Sequence, residues 1–252
     1  MSLRSKLFLR FCFGVIIAAA LLFIPAGSWT FWQGWTFIAI ILTLGVLSSF
    51  YLYKHDPKLV ERRLQTKEKI REQRLLVRFL RPLFVAVLVL PGLDYRFGWS
   101  RAYLGGVPLW LTLLSDALVI ANFLWVVWVM KVNSFASRTI QGEKGQTVVS
   151  TGPYSLVRHP MYLGSIAMLL FIPMALSSYV ALPAFALLIP FYVLRLLNEE
   201  KVLRQELPGY SDYCLHTRFR LLLDLLRCSN GPRRFRHRPA AKLRHQGPAK
   251  PF

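Results

Sequence analysis

Acidic residues are scarce: 12 Asp and Glu stand among 252 residues, against 32 Lys and Arg, and charged residues of both signs make up only 17% of the chain. So little charge cannot cover the water-facing surface of an ordinary soluble domain, and a hydrophobic content of 54% excludes a disordered chain. Cysteine is rare too. Cys12, Cys214 and Cys228 are odd in number and widely spaced, so they support neither a disulfide framework nor a Cys-based zinc site. No apolar block alternates with a period of two, which sets aside a β-barrel. Nowhere does a strand pattern run into a glycine-rich turn and a helix, as a dinucleotide-binding unit would require.

What is there is apolar blocks with basic residues between them, the pattern of segments that cross hydrocarbon and loops that return to water. Residues 7 to 26 form a first span interrupted only by Arg10, and residues 31 to 53 form a second without charge. A third, from Pro82 to Gly98, loses its uncharged run at Asp94. Residues 102 to 130 cross with Asp116 as their one acid. Residues 161 to 197 carry one charge, Arg195, and break at Ser177 and Ser178, which suits a tight helical hairpin. Backbone groups in lipid must pair within their own segment, so the expected fold is all-α: five or six transmembrane helices, the last two a hairpin, with a cytoplasmic carboxyl-terminal segment.

Charge placement orients the chain. With a cytoplasmic amino terminus, 30 of the 32 basic residues fall on the inside and only Arg96 and Arg101 outside. Both termini are then expected in the cytoplasm. The basic start and small residues closing the first span also fit a cleaved signal peptide, but the apolar run is longer than a usual signal core, and a retained helix is expected. Residues 54 to 81 interleave acids and bases and suit an interfacial helix on anionic headgroups. The tail from Ser229 to Phe252 has seven basic residues and no acids. It reads as disordered and lipid-facing, with no folded nucleic-acid reader beside it. Compact size and short loops point to a bacterial inner membrane rather than an internal eukaryotic one.

Chemistry concentrates in two stretches. In QTVVSTGPYSLVRHPMYLG, residues 146 to 164, Gly152-Pro153 makes a turn and Pro160 can open a helix whose free amides, with Tyr154, His159 and Tyr162, would form a polar pocket at the membrane face. An ordinary interfacial loop explains each of these residues singly. In RLLNEEKVLRQELPGYSDYC, residues 195 to 214, Arg195 and Glu199 share a helical face, and Glu199-Glu200 puts two carboxylates where the helix leaves the bilayer. Solvated glutamates and a snorkelling arginine are the plainer alternative. Tyr210 and Tyr213 could face a flat ring or a sulfonium, or simply pack. The hairpin brings both stretches to one cytoplasmic surface. Asn133, Ser134 and Ser137 sit at a depth to touch an acceptor headgroup, with helix capping as the alternative. Asp116 is a functional candidate or a protonated structural group.

With GPYSLVRHPMYLG and NEEKVLRQELPGYSDYC at this spacing, residues 131 to 223 resemble the isoprenylcysteine carboxyl methyltransferase group, which is related to the phospholipid N-methyltransferases. The resemblance implies a membrane-embedded transferase using S-adenosylmethionine outside any Rossmann-type domain. It implies that Gln146, Thr147, Val148 and Val149 line the cofactor, and that Tyr154, His159, Pro160, Met161 and Tyr162 hold its polar parts. It also implies that Glu199 binds cofactor and that Arg195 meets the substrate. This sequence departs from the group at Gln146-Thr147 and in its short ELPGY linker.

The expected organisation is an amino-terminal membrane part (1–130), a methyltransferase core (131–228) and the basic tail (229–252). The expected acceptor is apolar or lipid-linked, with the carboxylate of a prenylcysteine-like molecule ranked first and positioned by Arg195. For an amine or thiol acceptor, Glu200 or His159 would take the proton. No metal site is expected. Two rivals stand beside this reading. One is a membrane sterol or steroid reductase using NADPH, whose N/HPxYxG turn is similar; the other is a non-enzymatic basic membrane protein.

Overall fold

The computed structural model describes residues 3–64, 71–136 and 146–221. Every regular element among them is helical: α1 (Leu3–Ala26), α2 (Trp32–His55), α3 (Pro57–Leu64), α4 (Arg71–Phe97), α5 (Trp99–Leu104), α6 (Leu109–Val132), α7 (Pro153–Leu156), α8 (Pro160–Ala175), α9 (Ala181–Ala186), α10 (Ile189–Glu206) and α11 (Tyr210–His216). Five segments are long and apolar enough to cross a membrane: Leu9–Ala26, α2, α4, α6 and Ala181–Glu206. The shorter apolar α8 is the first arm of the hairpin, and the chain is an all-α, multi-pass membrane protein.

Residues 54 to 81 depart from the single interfacial helix expected of them. Lys54 and His55 finish α2, and Asp56 starts α3 by accepting the Leu59 amide on its carboxylate at 2.9 Å. Residues 71 to 81 already belong to α4, which runs unbroken through Pro82 and Pro91. Proline looked like a helix start at position 82, but in a long packed helix its missing amide is tolerated by neighbouring groups. Residues 65 to 70, Ser137 and the tail lie outside the described residues.

The helices pack where small residues let them approach. Gly92 of α4 sits against α1 so closely that an added Cβ would lie 2.4 Å from the Leu22 carbonyl oxygen. Gly164 of α8 lies against Trp125 and Val126 of α6. At one end of the bundle, Phe23, Trp29, Phe31, Trp35 and Tyr95 form an aromatic cluster of the kind that sits at a membrane interface. There the hairpin turn is fastened to α4. Buried Asp94 accepts the Ser100 amide at 2.7 Å and the hydroxyls of Ser100 and Ser178, and Ser100 Oγ in turn accepts the Tyr179 amide at 2.9 Å. Sequence reading had marked Asp94 only as the point where the apolar run fails.

Candidate functional site

At the other end, the last turns of α6 and α10 meet the first turns of α4 and α8, with residues 146–149 and α11 between them. The space they enclose is a cavity of about 420 Å³, within the size range of small-molecule sites. Pro160 begins α8 at its N1 position, and Trp125 of α6 fixes that start by donating its indole N–H to the Pro160 carbonyl at 2.8 Å. α11 turns back after Gly209, whose φ of +80° suits glycine. It brings Tyr213, which donates to the Tyr154 carbonyl at 2.6 Å.

The two sequence stretches meet here. Gln146, Thr147, Val148 and Val149 line one part of the cavity; Tyr154, His159, Pro160, Met161 and Tyr162 line another; Arg195 and Glu199 enter from α10. Tyr162 donates to Glu199 Oε2 at 2.6 Å, and Arg195 is also within hydrogen-bonding reach of that hydroxyl. Asn133, from the end of α6, donates to the Tyr154 hydroxyl at 2.9 Å and lines the cavity as well. Ser134 instead hydrogen-bonds the Asp56 carboxylate, an anchoring role.

Glu200, named as a possible proton acceptor, does not line the cavity. Its buried carboxylate accepts from Arg158 Nη1 at 2.7 Å, from Arg204 Nη2 at 2.8 Å and from Arg220 Nε. Three guanidinium groups occupy its lone pairs, so it is poorly placed to collect a proton from an acceptor. Arg204, one turn along α10, was legible from spacing; Arg158 and Arg220 were not. Residues 218–220 also run beside the loop before α8, their carbonyls accepting the Arg158 amide at 2.9 Å and the His159 amide at 3.2 Å. The Glu200 cluster thus fixes the backbone that presents His159.

Burial sets the electrostatics. His159 is pushed down to about 4, chiefly by desolvation and further by Arg158 and Arg220, with Glu200 opposing, so it is neutral at pH 7. Burial raises the Tyr213 phenol to about 12 and Tyr154 and Tyr210 further still, so all three remain protonated hydrogen-bonding groups. Asp116 is buried in α6, far in sequence from this end, and neither carboxylate oxygen has a hydrogen-bond partner among the described residues. It does not line the cavity.

Sequence reading missed Arg63 of α3 and Val77, Leu80 and Arg81 of α4, all of which face the same space. Arg63 donates to the Ala136 carbonyl at 2.9 Å. An i, i+3, i+4 spacing in α4 was available as a signal, but it was hidden by assigning residues 54 to 81 to a separate interfacial helix. Among the described residues, no group of three or more His, Cys, Asp or Glu is arranged to hold a metal ion.

The structure is a helical membrane bundle with a cavity lined by residues of α4, α6, α8 and α10, and comparison with known proteins shows what it resembles. Residues 110–208, which include most of that cavity, match the family described as Phospholipid methyltransferase. The fold is similar to that of the eukaryotic intramembrane Ras methyltransferase ICMT (isoprenylcysteine carboxyl methyltransferase), with a TM-score of 0.50 at 15% identity over 83% of this chain and 74% of that one. The chain also resembles the cobalt-zinc-cadmium resistance protein CzcN of Cupriavidus metallidurans, 30% identical over 47% of this chain and 51% of the relative. A second such relative is the nickel-cobalt-cadmium resistance protein NccN of Alcaligenes xylosoxydans xylosoxydans, 32% identical over 42% and 50%. The chain therefore spans about half the length of these curated relatives.

Proposed function

We propose that the protein is a membrane methyltransferase that takes its methyl group from S-adenosylmethionine and gives it to a lipid-borne or other apolar acceptor. The observation that carries this reading is convergence: the eleven residues named from the family resemblance, from Gln146 to Glu199, all face one cavity at one end of the bundle. A 420 Å³ space that joins aromatic and aliphatic side chains with a few convergent polar groups has the form of a small-molecule site.

The lining suits this cofactor. Its sulfonium and ammonium are attracted to the tyrosine faces and to the Glu199 carboxylate, its own carboxylate to the first-turn amides of α8, and its diol to hydrogen-bonding side chains. Neutral His159 adds no positive charge beside a cationic donor. When bound, the cofactor supplies an already activated methyl group. The chain's own task is therefore to align the acceptor and exclude water, and positioning of this kind contributes several kcal/mol. Glu199, held by Tyr162, orients the donor; Arg195 positions the acceptor; Glu200 holds Arg158 and the His159 backbone in place rather than moving a proton. Transfer to a carboxylate releases no proton, so no general base is needed.

Both termini and the cavity then face the cytoplasm, as the distribution of Lys and Arg favours. Incubating purified protein with methyl-labelled S-adenosylmethionine and a membrane extract should yield a labelled lipid product. Label found only in water-soluble or protein products would count against the lipid acceptor, and no labelled product at all would count against the enzyme.

A further inference from the structure

The cavity is unbalanced in charge. Arg63, Arg81, Arg158 and Arg195 face it, and Glu199 is the only acid lining it among the described residues. Glu200 lies behind this surface, engaged by Arg158, Arg204 and Arg220. His159 contributes no charge at neutral pH. A methyl donor bearing a sulfonium would make this surplus of positive charge larger, and opposite charge in a partly enclosed site is strongly favoured.

The wall contributed by α4 offers a place for a balancing charge. Val77, Leu80 and Arg81 occupy one face of α4 and all border the cavity. They combine two apolar side chains with one guanidinium. α10 packs against α4 and offers Arg195 and Val202 to the same space. Arg81 itself is exposed and makes no hydrogen bond or ion pair among the described residues. Close by, Phe79 and Val85 lie exposed on α4, as on a helix that meets lipid. An apolar strip capped by a free guanidinium fits an amphiphile whose chain lies along α4 and whose head carries an oxyanion.

We propose that Arg81 is a specificity residue that receives the oxyanion of the acceptor's headgroup in a seat between α4 and α10. This rests on the methyltransferase reading for the word acceptor, but the seat can be tested apart from it. Arg81 lies outside the segment 110–208 that matches the methyltransferase family, so the amino-terminal helices would set which lipid is chosen while the matched segment holds the donor.

The test is equilibrium binding to the full chain in neutral detergent, with S-adenosylhomocysteine present. The probes are three amphiphiles of similar tail: a carboxylate-headed prenyl thioether, an alkyl phosphate and an alkylammonium. Both oxyanion probes should bind and the ammonium probe should not, the tighter of the two showing whether carboxylate or phosphate is the natural head. Arg81→Ala should weaken oxyanion binding about tenfold or more, a loss expected for a charge-assisted contact. Arg81→Lys should recover part of it, and S-adenosylhomocysteine affinity should stay unchanged in both. Arg78→Ala, an exposed arginine on α4 that does not line the cavity, should bind as the wild type does, which separates the seat from general surface charge. Equal binding of the ammonium probe, or unchanged oxyanion binding in Arg81→Ala, overturns the proposal. Loss of S-adenosylhomocysteine binding by the wild type, with Arg81-dependent oxyanion binding intact, would overturn the methyltransferase reading alone.

Discussion

The Tyr162 hydroxyl donates to Glu199 Oε2 at 2.6 Å, joining the first turn of α8 to the last turns of α10 across the hairpin. This contact helps tie the two sequence stretches that carry the chemistry, and it fixes one carboxylate oxygen while the group still faces the cavity. Glu199→Ala should therefore weaken S-adenosylhomocysteine binding about tenfold or more, as expected when a hydrogen bond to a charged group is removed. Arg195→Ala should keep most of that affinity and raise the KM for acceptor. Isothermal titration and steady-state kinetics on both variants check the split, and two variants that bind and turn over normally would remove both assignments.

Glu200 should matter for stability more than for chemistry. It and Arg158 are buried, with side-chain exposures of 3% and 0%, and removing one partner of such a pair strands the other's charge. Glu200→Gln should destabilise the fold by about 3–5 kcal/mol. Thermal unfolding in detergent should show a lowered Tm, and an unchanged Tm with lost turnover would instead restore Glu200 as a proton acceptor.

His159 makes stability depend on pH in a definite direction. Its folded pKa of about 4 lies below the ordinary 6.5, so in between the unfolded chain binds a proton that the folded one does not. Stability should be fully present above pH 6.5 and should fall as pH drops toward 4, by about 3 kcal/mol from this group across the whole window. Denaturation midpoints measured from pH 7.5 to 4.5 should show this slope, and His159→Asn should flatten it.

Gly92→Ala tests the packing of α1 on α4. The added Cβ would meet the Leu22 carbonyl oxygen at 2.4 Å, and helix backbone cannot retreat as a flexible side chain can. Overpacking of this kind costs about 1–3 kcal/mol. The Tm should fall while S-adenosylhomocysteine affinity, set at the other end of the bundle, is retained.

Much of this was legible in the sequence because the bilayer imposes a simple code. Long apolar runs with little or no charge marked α1, α2 and α6, and Ser177-Ser178 marked the hairpin turn, since hydrocarbon leaves the backbone little choice but helix. The start of α4 was not legible. Charge-rich residues 71 to 81 look unlike a span, yet they continue a helix that leaves lipid, and so the cavity-facing Arg81 went unnoticed. The GPY and RHPMYLG residues could be placed because the turn, the proline start and the helical spacing are local. The Glu200 cluster could not, because Arg158 and Arg220 reach it from 42 and 20 residues away, and nothing in either segment announces the other.

Equilibrium binding to the purified wild-type protein most directly tests whether the cavity between Gln146 and Tyr213 holds S-adenosylmethionine. Saturable binding of S-adenosylhomocysteine, weakened by Glu199→Ala and accompanied by no NADPH binding, is the predicted result. Saturable NADPH binding with none for S-adenosylhomocysteine would contradict the account and favour a membrane reductase.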